Sequence, residues 1–224
     1  DLEIEVSRLK LVKANYLSQK YALEDSLLKH YPKEIRLTQE RIKGYQADIA
    51  LYQRHKTEEF PGMVLCGISY AEKKDAGAAI IEICKAQTSP EAKEIGSYRG
   101  FALLLSFDTM SKVFRMTLRG SLSHTIELGS DIHGNIQRME NILEAFPVRL
   151  SACEKVLDTL KEQMENAKSE VEKPFAQEQE LSEKTARLAE LDALLNIDKR
   201  ENDVLDAEPE HQDERTQAKE EIER

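Results

Sequence analysis

The chain is expected to be mostly α: a long antiparallel, coiled-coil-like helical hairpin with a small inserted α+β domain of order β-α-β-β-β and an antiparallel sheet. Three observations predict it. A third of the residues are charged, 40% are hydrophobic and none is tryptophan, a balance that suits long exposed helices better than one globule. Apolar residues recur at 3-4 spacing in the first and last thirds of the chain, the signature of a helical seam. Between them, residues 57–134 switch to period-two alternation with Gly and Pro punctuation.

Residues 2–30 read as a helix with Leu2, Val6, Leu9, Val12, Tyr16, Leu23 and Leu27 on its stripe. Pro32 either kinks this helix or starts the next at a first-turn position. The second helix runs to about Lys56 on Ile35, Ile42, Tyr45, Ile49 and Tyr52. Phe60-Pro61-Gly62 ends the pattern. Met63–Tyr70 then reads as one strand bent at Gly67, and Glu72–Gln87 as an amphipathic helix with Ala76, Ala79, Ile80, Ile83 and Cys84 inward. Three strands follow, at 101–108, 112–119 and 122–128, with Phe101, Leu103, Leu105, Phe107, Phe114, Met116, Leu118, Leu122, Ile126 and Leu128 inward.

The strongest periodicity is the series Ile136, Met139, Leu143, Phe146, Leu150, Cys153, Leu157, Leu160, Met164, Ala167, Val171. Pro147 should kink or divide this helix, and Pro174 should end it. A last helix spans about 175–195, with Leu181, Leu188 and Leu195 seven apart. The implied organisation is a first helical arm at 1–56, an inserted domain at 57–134, a return arm at 135–197 and an acidic, disordered tail at 198–224. The economical topology pairs the 33–56 helix with the 136–173 helix, with the last helix folding back along it. Homodimerisation through the same stripes is the rival.

Charge is uneven. Residues 1–56 hold 11 basic and 8 acidic side chains, residues 57–135 hold 8 and 10, and residues 136–224 hold 13 and 24. A net charge of −10 argues against a general DNA-coating protein, which needs a basic surface to release counterions, while leaving room for a local basic patch. The three cysteines, Cys66, Cys84 and Cys153, stand far apart with no CxxC and read as small buried apolar residues in a reducing cytoplasm. No run of apolar residues is long enough for a membrane span and no signal peptide is visible. The chain starts at Asp1 in helical register and stops at Arg224 inside a charged stretch, which reads as a piece of a longer chain.

No P-loop, GxGxxG, HExxH or GxSxG motif occurs, and the five histidines lack metal-ligand spacing. No catalytic, metal or cofactor residue is therefore assigned, and no cofactor is expected. His124, on an otherwise apolar strand face, reads as a satisfied core or edge histidine. One turn has a functional reading, Gly96-Ser97-Tyr98-Arg99-Gly100-Phe101. Tyr98 could stack on a base, and Arg99, Lys112, Arg115 and Arg119 could form a basic strip contacting DNA phosphates. The plainer reading is that Gly96 and Gly100 shape a turn or bulge and Tyr98 packs on the domain. A DNA-contacting strip requires Arg99, Arg115 and Arg119 on one exposed face.

Six stretches carry a family resemblance: LSQKYALEDSLLKHYP (17–32), EKKDAGAAI (72–80), IGSYRGFALLLSFD (95–108), LSHTIELGSDIHGNIQRMEN (122–141), EKPFAQEQEL (172–181) and TARLAELDALLNIDKREN (185–202). They resemble the C-terminal region of the very large helicase and DNA N6-adenine methylase proteins (Swi/Snf-type helicase) carried by conjugative elements and plasmids of Gram-positive bacteria. The resemblance implies methylase and Swi/Snf-type helicase modules upstream in the same chain. Neither the Asn/Asp-Pro-Pro-Tyr methylase box nor the acidic helicase box occurs here, so no catalytic residue carries over. The expected role is a non-catalytic accessory region that positions or contacts DNA or a partner, and the alternative is a purely structural or oligomerisation module.

Overall fold

The computed structural model describes residues 1–205. Helix α1 (Leu2–Asp25) passes through one widened turn (Ser26–His30) into α2 (Tyr31–Arg54). Pro32 stands in the first turn of α2, the second of its two expected readings, and the wide turn before it joins the two helices without a gap. Tyr31 N–H reaches back five residues to Ser26 O, and a π-type turn of this kind relieves the proline ring's clash with the preceding turn. The stripe of α1 departs from expectation at one point: Val12 is exposed, and the neighbouring Lys13 pairs with Glu178 instead.

The sheet contains six strands, β1 (Met63–Leu65), β2 (Ile68–Tyr70), β3 (Lys93–Tyr98), β4 (Phe101–Asp108), β5 (Val113–Arg119) and β6 (Ser123–Glu127), with α3 (Lys73–Ala86) between β2 and β3. Their spatial order is β2-β1-β3-β4-β5-β6, antiparallel throughout. Two corrections to the expected β-α-β-β-β order follow. The segment 63–70 is a hairpin, because Cys66 (φ 50°) and Gly67 (φ 82°) make a two-residue turn of the kind that matches strand twist. A further strand, β3, was not expected; its pairing with β4 slips between Glu94 and Gly96, so Ile95 and Tyr98 both point inward at a spacing of three.

The inward face carries the core. Leu65, Ile80, Phe101, Leu103, Leu105, Met116, Leu118, Ile136, Met139 and Leu143 are all essentially inaccessible. Phe107, Phe114, Leu122 and Leu128 lie at the margin, half-buried. Helices α3, α4 (Gly134–Glu144) and the last turns of α2 cover this face. The helix expected from 136 to 173 divides at Ala145 into α4 and α5 (Phe146–Glu172), and Pro147 sits in the first turn of α5, where its missing N–H costs nothing. Along α5, Leu150, Cys153, Leu157, Leu160, Met164, Ala167 and Val171 are buried or half-buried, and the residues between them are exposed.

The described residues fall into two compact units, Leu23–Val171 and Asp1–Ala22 with the residues from Glu172 on. In the second, α1 and α6 (Glu178–Leu205) run antiparallel: Lys13 meets Glu178 at 2.6 Å and Glu5 meets Lys184 at 3.0 Å. Val6, Leu9 and Leu181 are buried between them, and Tyr16 packs on Phe175 at 5.4 Å. Helix α6 runs to Leu205, so residues 198–205 of the expected disordered tail are helical; residues 206–224 lie outside the described part.

Candidate functional site

Two buried polar clusters fix the sheet to α2. In the first, Asp48 (1% exposed) replaces an apolar residue on the stripe of α2. Its Oδ1 accepts Ser121 N–H at 2.6 Å, and its Oδ2 accepts Leu122 N–H at 3.0 Å and bonds His124 Nε2 at 2.8 Å. A carboxylate oxygen only accepts, so the network assigns the proton to Nε2. The His124 ring packs against both Tyr45 and Phe146, 5.6 and 4.3 Å away, and those two rings also meet each other at 6.0 Å. One aspartate thus clamps the β5–β6 turn against the helix, and His124 is a satisfied core histidine.

The second cluster contains two of the residues with a nucleic-acid reading. Arg99 and Gly100 form the β3–β4 turn, both with positive φ (47° and 85°). That turn folds Arg99 back on the protein rather than out to solvent. Its Nε donates to Glu140 Oε1 at 2.8 Å, and its Nη1 donates to His55 O at 3.0 Å. The guanidinium lies 5.5 Å from the Tyr98 ring centre and 5.8 Å from that of Tyr52, within cation–π range. The Tyr98 hydroxyl donates to the same Glu140 oxygen, and its ring stacks on Phe60 at 5.8 Å. Burial, and then the bond to Glu140, raise the Tyr98 phenol above its ordinary range.

Tyr98 (2% exposed) and Arg99 (9%) are therefore spent inside the domain, and the single exposed face required of Arg99, Arg115 and Arg119 does not form. The plainer reading of the turn describes what is seen. Gly96 sits at the slip in β3, where a Cβ would run into the Val64 carbonyl.

Arg115 and Arg119 share the outward face of β5, flanking Thr117. Each is ion-paired. Arg115 Nη2 meets Asp108 at 2.8 Å and Glu127 at 3.5 Å, and Arg119 Nη2 meets Glu94 at 2.6 Å. Three acids answer two arginines, which leaves no positive excess for phosphate. Lys112 is exposed in the β4–β5 turn with φ 55°. That turn is closed by Asp108, whose carboxylate accepts the N–H groups of Met110 and Ser111; these bonds hold its pKa below the ordinary carboxylate value.

Two further arginines, Arg138 and Arg149, line a groove of about 390 Å³ with Ile126, Glu127, Asn141 and Ile142. Neither makes an ion pair among the described residues. Their spacing on exposed helix faces carries no motif, so sequence reasoning passed over them. No group of His, Cys, Asp or Glu side chains among the described residues is arranged to hold a metal ion, and no described helix is long and apolar enough to cross a membrane.

No protein-family profile matches the chain, and no curated protein or solved structure is significantly similar to it.

Proposed function

We propose that the chain is a non-catalytic accessory module of a larger DNA-processing protein and that its sheet domain serves protein docking rather than DNA contact. The observation that carries this reading is the ion pairing of every arginine of the sheet strands and their turns. Arg99, Arg115 and Arg119 each face a carboxylate within 2.8 Å, so phosphate would have to displace an existing partner. The rigid mounting supports the same reading. The last turns of α2 contribute Tyr45, Asp48, Ile49 and Tyr52 to the domain's core and polar anchors. The buried Thr38 of α2 and Ala167 of α5 are what an antiparallel pairing of these two helices would cover, which would make a helical hairpin of the mount. The resemblance to the helicase and methylase proteins supplies the larger context, with the upstream modules as natural partners in a cytoplasmic protein.

The test is a titration of fluorescent single- and double-stranded DNA from about 20 to 200 mM salt. The proposal expects no salt-dependent binding in the micromolar range. Micromolar binding that weakens with salt and is lost on replacing Arg99, Arg115 and Arg119 by alanine would restore the DNA-contact reading.

The second reading, an oligomerisation module, is favoured by one observation. Ile4, Leu11, Leu194 and Leu195, all on α1 or α6, are 59–70% exposed, an unusual display of large aliphatic side chains. Sedimentation equilibrium decides it: a mass that doubles with concentration supports a homodimer through these helices, and a constant monomer mass rejects it.

A further inference from the structure

We infer that the free edge of β6 takes up an extended acidic segment of a partner protein by strand addition, with Arg138 and Arg149 as the charge-recognising residues. The inference rests on the protein-docking reading above and names its surface.

Strand β6 ends the sheet. Leu128 N–H bonds Phe114 O on β5, and hydrogen bonding alternates along an antiparallel pair. Residues 128, 126 and 124 therefore direct their backbone groups to β5, and Ser123, Thr125 and Glu127 direct theirs to the open edge. All three are exposed. Edge strands are commonly protected by lysine, proline or a bulge. The run Ser-His-Thr-Ile-Glu contains neither residue, and its pairing with β5 is regular over all five positions.

The groove beside this edge has the chemistry of an acidic guest. Its floor is Ile126 and Ile142. Arg138 is held in place by Asn135, whose Oδ1 accepts from Arg138 Nη1 at 2.9 Å and from Gly129 N–H at 2.7 Å. Asn135 itself is fully buried, so the arginine stands on a rigid post. Arg149 rises from the first turn of α5 on the far side. Asn141 Oδ1 accepts from Gln137 Nε2 at 3.0 Å, and the Asn141 Nδ2 donor has no partner among the described residues. Glu127, the acid in the lining, leans to the other face of the sheet and pairs with Arg115. Two guanidiniums without a carboxylate partner among the described residues and an amide donor, beside an open backbone edge, suit a polypeptide with carboxylates at alternate positions. A nucleic acid would leave the strand edge's donors and acceptors without their ladder partners.

The probe is a fluorescent pool of peptides about eight residues long, with Asp or Glu at alternate positions and Val, Ile or Thr between. Controls are the same pool with lysine for each acid, and the acidic pool N-methylated at alternate residues. Anisotropy and amide exchange are read on the whole chain. The acidic pool is expected to bind and to slow exchange of the Thr125 and Glu127 amides by roughly tenfold or more. Both control pools, and the R138E/R149E chain with unchanged thermal unfolding, should bind roughly tenfold more weakly or worse. Absence of binding to about 1 mM overturns the inference. So does equal binding by the N-methylated pool or by R138E/R149E, or a self-dimer through β6 that Thr125→Pro abolishes. A flat DNA titration alongside any of these failures leaves the protein-docking reading standing, whereas salt-dependent DNA binding lost with Arg99, Arg115 and Arg119 sinks that reading itself.

Discussion

Replacing Asp48 by alanine removes one carboxylate and strands three donors: the Ser121 and Leu122 N–H groups and His124 Nε2. Ser121 is exposed, so its N–H recovers water. Leu122 N–H lies in a half-buried turn and His124 is 3% exposed, so these two recover little. An unmet buried donor costs about 1–3 kcal/mol, and breaking a buried hydrogen-bonded charge site by deleting one side costs about 3–5 kcal/mol. We expect about 3–5 kcal/mol of lost stability, or a midpoint lowered by about 10 °C for a unit of this size. Asp48→Asn should cost less, because its amide oxygen still serves one N–H while its amide nitrogen opposes the other. The assay is urea and thermal unfolding followed by tyrosine fluorescence and circular dichroism, since the chain has no tryptophan. A cost for Asp48→Ala below about 1 kcal/mol would refute the claim that this carboxylate clamps the β5–β6 turn to α2.

Three further outcomes follow from the same geometry. Gly96→Ala should destabilise the sheet unit by about 2–4 kcal/mol, because the new Cβ overlaps a backbone carbonyl that cannot rotate away; chemical denaturation reads this. Arg115→Ala and Arg119→Ala should each cost less than about 1 kcal/mol, since their side chains are 37% and 50% exposed. Stability should fall as pH rises above 9. Burial raises the Cys84 thiol from 9.0 to about 11, so the unfolded thiol ionises first and stability is lost between those values, with Tyr98 adding to the loss at higher pH. Unfolding midpoints at pH 8 and pH 10.5, compared with Cys84→Ala, check it.

How far the fold could be read beforehand varied with the kind of signal. The seam from Ile136 to Val171 was legible residue by residue, because a helix has one period and nothing interrupts it apart from Pro147, itself a helix-start residue. The inward faces of β4 and β5 were legible for the same reason. Strand β3 was not, because the slip near Ile95 breaks alternation, and period two was the only signal available for a strand. The β1–β2 hairpin was hidden because Cys66 is an unusual residue for a positive-φ turn. Helical continuity past Pro32 depends on a widened turn that has no sequence mark.

The polar clusters were half visible. Asp48 sits four residues from Gly44 and Tyr52 on a buried stripe, and His124 sits on an apolar strand face. Each is a polar anomaly, and two anomalies of opposite chemistry are natural partners, although only the fold shows that they meet. Arg99 misled because its partner, Glu140, is 41 residues away on α4, so an arginine between glycines looked free.

The central claim is that the arginines flagged by sequence are structural, and Arg99→Ala read two ways tests it most directly. The account predicts about 3–5 kcal/mol of lost stability, because Glu140 (side chain 13% exposed) loses its charge partner, and no change in an already negligible affinity for DNA at low salt. Unchanged stability together with loss of a measurable DNA affinity would contradict it and return Arg99 to the role of a nucleic-acid contact.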